Sequence, residues 1–135
     1  MSVQIELRYE GGLHTSATHP SGARIETDAP LDNQGRGEAF SPTDLVASAL
    51  GACMLTVMGI VARRHDWALD GSTVSVEKEM VAEPVRRIGR LGVSFRMAPG
   101  IPEAARPVLE RTAHTCPVCQ SLGDDVKVEV AFDWA

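Results

Sequence analysis

Three things are scarce in this 135-residue chain: positive charge, cysteine, and any sign of an export signal. Lysine and arginine number 13 against 18 aspartates and glutamates, for a formal net charge of −5. No basic face emerges, which argues against nucleic acid as a partner. The opening stretch MSVQIELRYE lacks the basic start and apolar run of a secretory signal, so a cytoplasmic protein is expected. There are only three cysteines, an odd set. In a reducing compartment such thiols serve catalysis, metal binding or packing rather than a disulfide framework. Internal repeats, low-complexity tracts and domain boundaries are also missing. The length suits a single domain, residues 1–135, able to bury a real core.

A further absence organises the chain. Between Leu45 and Ala62 there is no charged residue. The flanks carry helix punctuation: Ser41 as a cap, Pro42 at the first position and Asp44 in the first turn, then Arg63, Arg64 and His65 at the close. A helix from Ser41 to Asp66 is expected, buried on most of its circumference. The uncharged run approaches the roughly 20 apolar residues of a membrane span. It is diluted by Ser48, Gly51, Thr56, Gly59 and several alanines, so a core helix shared between two subunits is the better reading, with no membrane and with a homodimer.

Around it the pattern has period two. Val3, Ile5, Leu7 and Tyr9 alternate with polar residues, as in a half-buried strand, and Gly11-Gly12 signals a hairpin. Strands follow over Leu13–His19 and Ala23–Thr27, with Ile25 inward and Pro20-Ser21-Gly22 as the turn between them. Asp28–Phe40 reads as a long loop of the sort that carries function. Later strands are expected at Thr73–Ala82, at Arg86–Met97 with a bulge or bend at Gly89 or Gly92, and at Val126–Trp134. A second helix runs from Glu103 to about Thr115, and a short helical turn from Cys116 to Gly123. The order is β-β-β-α-β-β-α-β, an α+β fold with antiparallel sheets around the long helix.

The thiols are the candidates for chemistry. Cys53 lies mid-helix beside Gly51 and Ala52, where small neighbours allow close approach. It is either an inert core thiol or a reactive one, because reactivity needs access and a lowered pKa. Cys116 opens a helical turn before Pro117, where backbone N–H groups favour a thiolate. Cys119 completes a CxxC, readable as a dithiol exchanger, half a metal site with His114, alone or together with His65, or a packing accident. Structural zinc wants four ligands, and no second CxxC or HxxxH exists, so no metal is expected. A thioredoxin-type motif should follow a strand, whereas a helical segment precedes this one. Leu50, Met54 and Met58 either hold an apolar ligand or form core.

SPTDLVASALGAC (Ser41–Cys53) and CPVCQSL (Cys116–Leu122), with this element order, resemble the OsmC/Ohr family of hydroperoxide resistance proteins over nearly the whole chain. The resemblance implies an intertwined homodimer with active sites at its interface. It also implies a thiol-dependent peroxidase acting on organic hydroperoxides or H2O2. Cys53 would be the peroxidatic cysteine, Cys116 the resolving one, and an external dithiol the reductant, with no cofactor. Thr43 stands where the Ohr branch has glutamate, and Asp44 matches the acidic residue of the other branches. The arginine of the Ohr branch has no counterpart in Gly11–Gly22, which holds His14 and His19. Arg36 or Arg24 is either the substitute, with Glu38 to hold it, or a solvated loop charge. Cys119 is an added thiol. The rivals are a dithiol–disulfide oxidoreductase using Cys116 and Cys119, and a non-enzymatic dimer that binds an apolar ligand.

Overall fold

A computed structural model describes all of residues 1–135. The chain forms two compact units, residues 1–46 and 47–135.

The first unit is an antiparallel meander of β1 (Glu6–Gly11), β2 (His14–Thr18) and β3 (Arg24–Asp28), in that order. Gly11 and Gly12 take φ of 87° and 61° in the hairpin, a region where glycine carries no Cβ penalty. Strand register puts Leu7 opposite Ala17 and Ala17 opposite Ile25, so these three share one face. The alternation anticipates that face buried. Only Ala17 at its centre is; Leu7 is 68% exposed, Tyr9 65% and Ile25 51%. Period two identifies an apolar face but not what covers it, and a single copy of this chain leaves it open. The loop after β3 contains one 3-10 turn, Leu31–Asn33. It returns to β3, where the Asp28 N–H donates to the Phe40 carbonyl at 3.1 Å.

The boundary between units falls inside α1 (Pro42–Arg64). Its start is a reciprocal capping box: the Asp44 N–H donates to Ser41 Oγ at 3.1 Å, and the Ser41 N–H donates to Asp44 Oδ2 at 2.9 Å. Burial follows one stripe: Ala47, Leu50, Gly51, Met54, Met58 and Ala62. Ala49, Ala52, Thr56 and Ile60 are exposed. The expectation of burial on most of the circumference therefore fails for one copy, since a single sheet covers a single helix face. The helix is long and apolar enough to cross a membrane, with a mean hydropathy of 2.2 over an 18-residue stretch of it. Its Leu50, Met54 and Met58 nevertheless sit in the core of the second unit, each stabilising it by about 1.5–3 kcal/mol.

That core is built on β4 (Thr73–Val81), β5 (Arg87–Met97) and β6 (Lys127–Trp134), in the order β4-β5-β6. Glu79 pairs with Arg90 but Met80 with Ile88, which makes Gly89 the extra residue of the expected bulge. β4 and β5 are antiparallel, whereas β5 and β6 run parallel. The expected antiparallel arrangement fails at this pair for a physical reason. The connection carries α2 (Arg106–Ala113) and α3 (Pro117–Ser121), and such a crossover returns the chain in the same direction. α2 is shorter than anticipated because Glu103–Ala105 forms a 3-10 turn. Leu91, Val93, Phe95 and Met97 of β5 join the α1 stripe, Leu109 of α2 and Cys116 in one buried cluster.

Candidate active site

Gly51 brings α1 against β4. A Cβ there would lie 3.0 Å from Val76 Cγ2 and 3.3 Å from Val74 Cγ1. Two residues further on, half-buried Cys53 packs against the core. Cys116 arrives from the other end of the unit. α2 ends at Ala113, and extended backbone at Cys116 (φ −62°, ψ 139°) starts α3 with Pro117 in its first turn. Cys116 is the N-cap: its Sγ accepts the Cys119 N–H at 3.3 Å. The Cys53 thiol is close enough to act on it, being one of the causes that raise the Cys116 pKa. The fold thus joins two thiols 63 positions apart, with the half-buried Cys119 beside them.

The cap does not turn Cys116 into a thiolate. Burial is the main cause of a pKa pushed up to about 11, opposed by the Cys119 N–H and reinforced by the neighbouring Cys53 and Cys119 thiols. The expectation that helix-start N–H groups would favour a thiolate here is corrected: one N–H on a five-residue helix cannot offset a fully buried sulfur (0% exposed). Leu50, Met54 and Met58 are equally buried; they are core and line no open site for an apolar tail. A cavity of about 610 Å³ near the C-terminal end of α1 is lined by Thr56, Ile60, Arg63, Trp67 and Leu69 among others, and none of the cysteines reaches it.

The other sequence candidates belong to the first unit. Arg24 is exposed on β3, opposite Thr18. Asp44 closes the helix cap. Arg36 and Glu38 line a cleft of about 400 Å³ with Gly11, Gly12, His14 and Asp28. In it, buried Asp28 meets His14 Nδ1 at 2.5 Å through Oδ1 and accepts the Glu38 N–H at 3.1 Å through Oδ2. His14 Nε2 faces Glu26 at 3.1 Å and Glu10 at 3.7 Å. The hydrogen bonds to Asp28 and then Glu26 raise the His14 pKa above its ordinary value. The same His14 hydrogen bond is the main cause holding Asp28 below its own, and the Arg36 charge adds to it. Glu10, His14 and Glu26 bring ligand-type atoms within 4.8 Å of one another, a set suited to a cation only if His14 gives up its proton. The His14–Asp28 pair went unsingled from sequence, although a turn centred on Ser21 places residues 14 and 28 opposite each other.

Comparison with known proteins agrees with this architecture. The family model for OsmC-like protein matches residues 35–131, a span containing all three cysteines. No curated protein matches the chain. Among solved structures, a Psychrobacter arcticus protein provisionally described as an osmotic stress induced and detoxification response protein is 42% identical. That alignment covers 96% of this chain and 94% of the other, with a TM-score of 0.90. An organic hydroperoxide resistance protein OsmC from Legionella pneumophila shares the fold at 18% identity, with 98% and 97% coverage and a TM-score of 0.77. The organic hydroperoxide resistance protein OhrB of Bacillus subtilis does so at 18% identity, 98% coverage of both chains and a TM-score of 0.73.

Proposed function

The chain belongs to the OsmC-like family, and from that premise we propose that it is a thiol-dependent peroxidase that reduces organic hydroperoxides through Cys53 and Cys116. One observation carries the proposal: the fold brings these two distant thiols to one buried cluster, near enough for Cys53 to raise the Cys116 pKa. Roles follow from exposure and charge. The attacking sulfur must be reachable and ionised. Cys116 is fully buried. With a pKa of about 11, only about one Cys116 in ten thousand is a thiolate at neutral pH. The first attack therefore falls to Cys53.

The Cys53 thiolate attacks the outer peroxide oxygen and breaks the O–O bond, and alcohol leaves after taking a proton. Cys53 becomes a sulfenic acid. The Cys116 sulfur then displaces that oxygen as water, and a Cys53–Cys116 disulfide forms. An external dithiol reduces it by exchange, so two electrons pass from dithiol to peroxide in each cycle. No cofactor is needed. The free thiols suit a cytoplasmic setting with a reducing pool.

A homodimer belongs to the same proposal. It is supported by the open apolar face of Leu7, Tyr9 and Ile25 and by the exposed small residues of α1, since faces of that kind mark association sites. The cation that would assist Cys53 is proposed to be Arg36 or Arg24. Turnover of cumene hydroperoxide with excess dithiol tests the chemistry. Cys53→Ser is expected to abolish it and Cys116→Ser to stop it after one equivalent. Unchanged consumption by Cys53→Ser would overturn it.

A further inference from the structure

Cys119 is a third thiol for which a two-cysteine cycle has no use, and its position is specific. It occupies the third helical position after Cys116, and its own N–H is bonded to the Cys116 sulfur at 3.3 Å. Residues three apart in a first helical turn have Cα atoms about 5 Å apart, inside the range that a disulfide spans. Cys116 therefore has two thiol neighbours: Cys53, which packs against the same core and raises its pKa, and Cys119, which is within bridging range.

The two possible bridges are not equivalent. Each must bring its sulfurs to about 2.05 Å. Cys53 rides on α1, which the buried Leu50, Met54 and Met58 lock into the core. Cys119 rides on a five-residue helix with no buried residue, so α3 can adjust where α1 cannot. The Cys116 sulfur is closed to solvent, and an external thiol cannot reach it, whereas Cys119 is tethered beside it at high effective concentration.

We infer that Cys119 is a relay thiol that moves the disulfide from Cys53–Cys116 to Cys116–Cys119, freeing Cys53 and carrying the oxidised pair to α3, where an external dithiol collects it. The inference rests on the peroxidase reading of Cys53 and Cys116. In the step, the Cys119 thiolate, its proton given to solvent, attacks the Cys116 sulfur. The Cys116–Cys119 bond forms, the Cys53–Cys116 bond breaks, and the electron pair leaves on Cys53 as a thiolate. One disulfide replaces another with no change in oxidation level. The hydroperoxide of the preceding steps is the only oxidant. Peroxide reduction at α1 and re-reduction at α3 then use different sulfurs.

The relay is testable because trypsin places Cys53 on one peptide, residues 37–63, and both Cys116 and Cys119 on another, residues 112–127. Reduced full-length protein receives one equivalent of cumene hydroperoxide, free thiols are alkylated at successive times, and the peptides are weighed. The expected sequence is a cross-link of the two peptides, followed by loss of that cross-link. Peptide 37–63 then appears alkylated and peptide 112–127 appears unalkylated and lighter by two hydrogens. The second phase should proceed at a rate independent of protein concentration, and Cys119→Ser should keep the cross-link throughout. A cross-link that persists in the wild type as it does in Cys119→Ser overturns the relay and leaves the peroxidase reading standing. Unconsumed peroxide with no cross-link at any time overturns both.

Discussion

Gly51→Ala tests how closely α1 is pressed on β4, and hence how Cys53 is held. In an isolated helix the change is favourable by about 1 kcal/mol, because alanine loses less backbone entropy than glycine. Here the added carbon would stand 3.0 Å from Val76 Cγ2 and 3.3 Å from Val74 Cγ1. Carbon pairs prefer about 3.5–4.0 Å, so helix and strand must separate by about half an ångström. Neither valine can swing away easily: β-branched side chains are stiff at χ1, and the strand is register-locked to β5 over its whole length. Overpacking of this kind costs about 1–3 kcal/mol and should outweigh the propensity gain. The expected net loss is about 1 kcal/mol, or about 4 °C in Tm for a chain of this size. Urea and thermal unfolding read it directly. Val76→Ala removes the nearer methyl, so Gly51→Ala made in that background should turn stabilising, with a coupling of about 1–3 kcal/mol across the cycle. A rise in Tm from Gly51→Ala alone would refute the close contact.

Other consequences are equally concrete. The His14 pKa is raised in the fold, so its contribution to stability is complete below about pH 6.5 and fades as pH climbs through the raised value. The Asp28 pKa is lowered, so its contribution holds above about pH 3.9 and is lost as pH falls through the lowered value. Urea midpoints measured against pH should show both limbs, and His14→Gln should flatten the alkaline one. Ser41→Ala removes one arm of the α1 capping box and should cost about 1 kcal/mol in the same unfolding assay. Sedimentation at micromolar concentration should give a dimer; a stable 14.5 kDa monomer would remove the dimer from the proposal.

Legibility in the sequence tracked how local each cause is. The start of α1 was readable because Ser41, Pro42 and Asp44 act on their own turn, and the capping box forms as their chemistry implies. The Gly11-Gly12 hairpin and the bulge at Gly89 were readable for the same reason. The parallel pairing of β6 was not, because direction depends on whether the connection through α2 and α3 carries the chain back to the starting end of β5, which no local residue specifies. Neither was the fate of the apolar face at Leu7 and Ile25, since alternation marks a surface and leaves its cover unspecified. Cys116 shows the limit most clearly. Its cap is local and was anticipated, while the burial that makes it a thiol is a property of the whole second unit.

The claim on which the function turns is that Cys53 is the sulfur that meets peroxide. It is tested most directly in the Cys116→Ser/Cys119→Ser variant, where Cys53 is the one remaining cysteine. One equivalent of cumene hydroperoxide is added in the presence of dimedone, which captures sulfenic acids. Peroxide should be consumed, with a single dimedone adduct on the peptide of residues 37–63. Unconsumed peroxide and an unmodified Cys53 in the folded variant would contradict the mechanism.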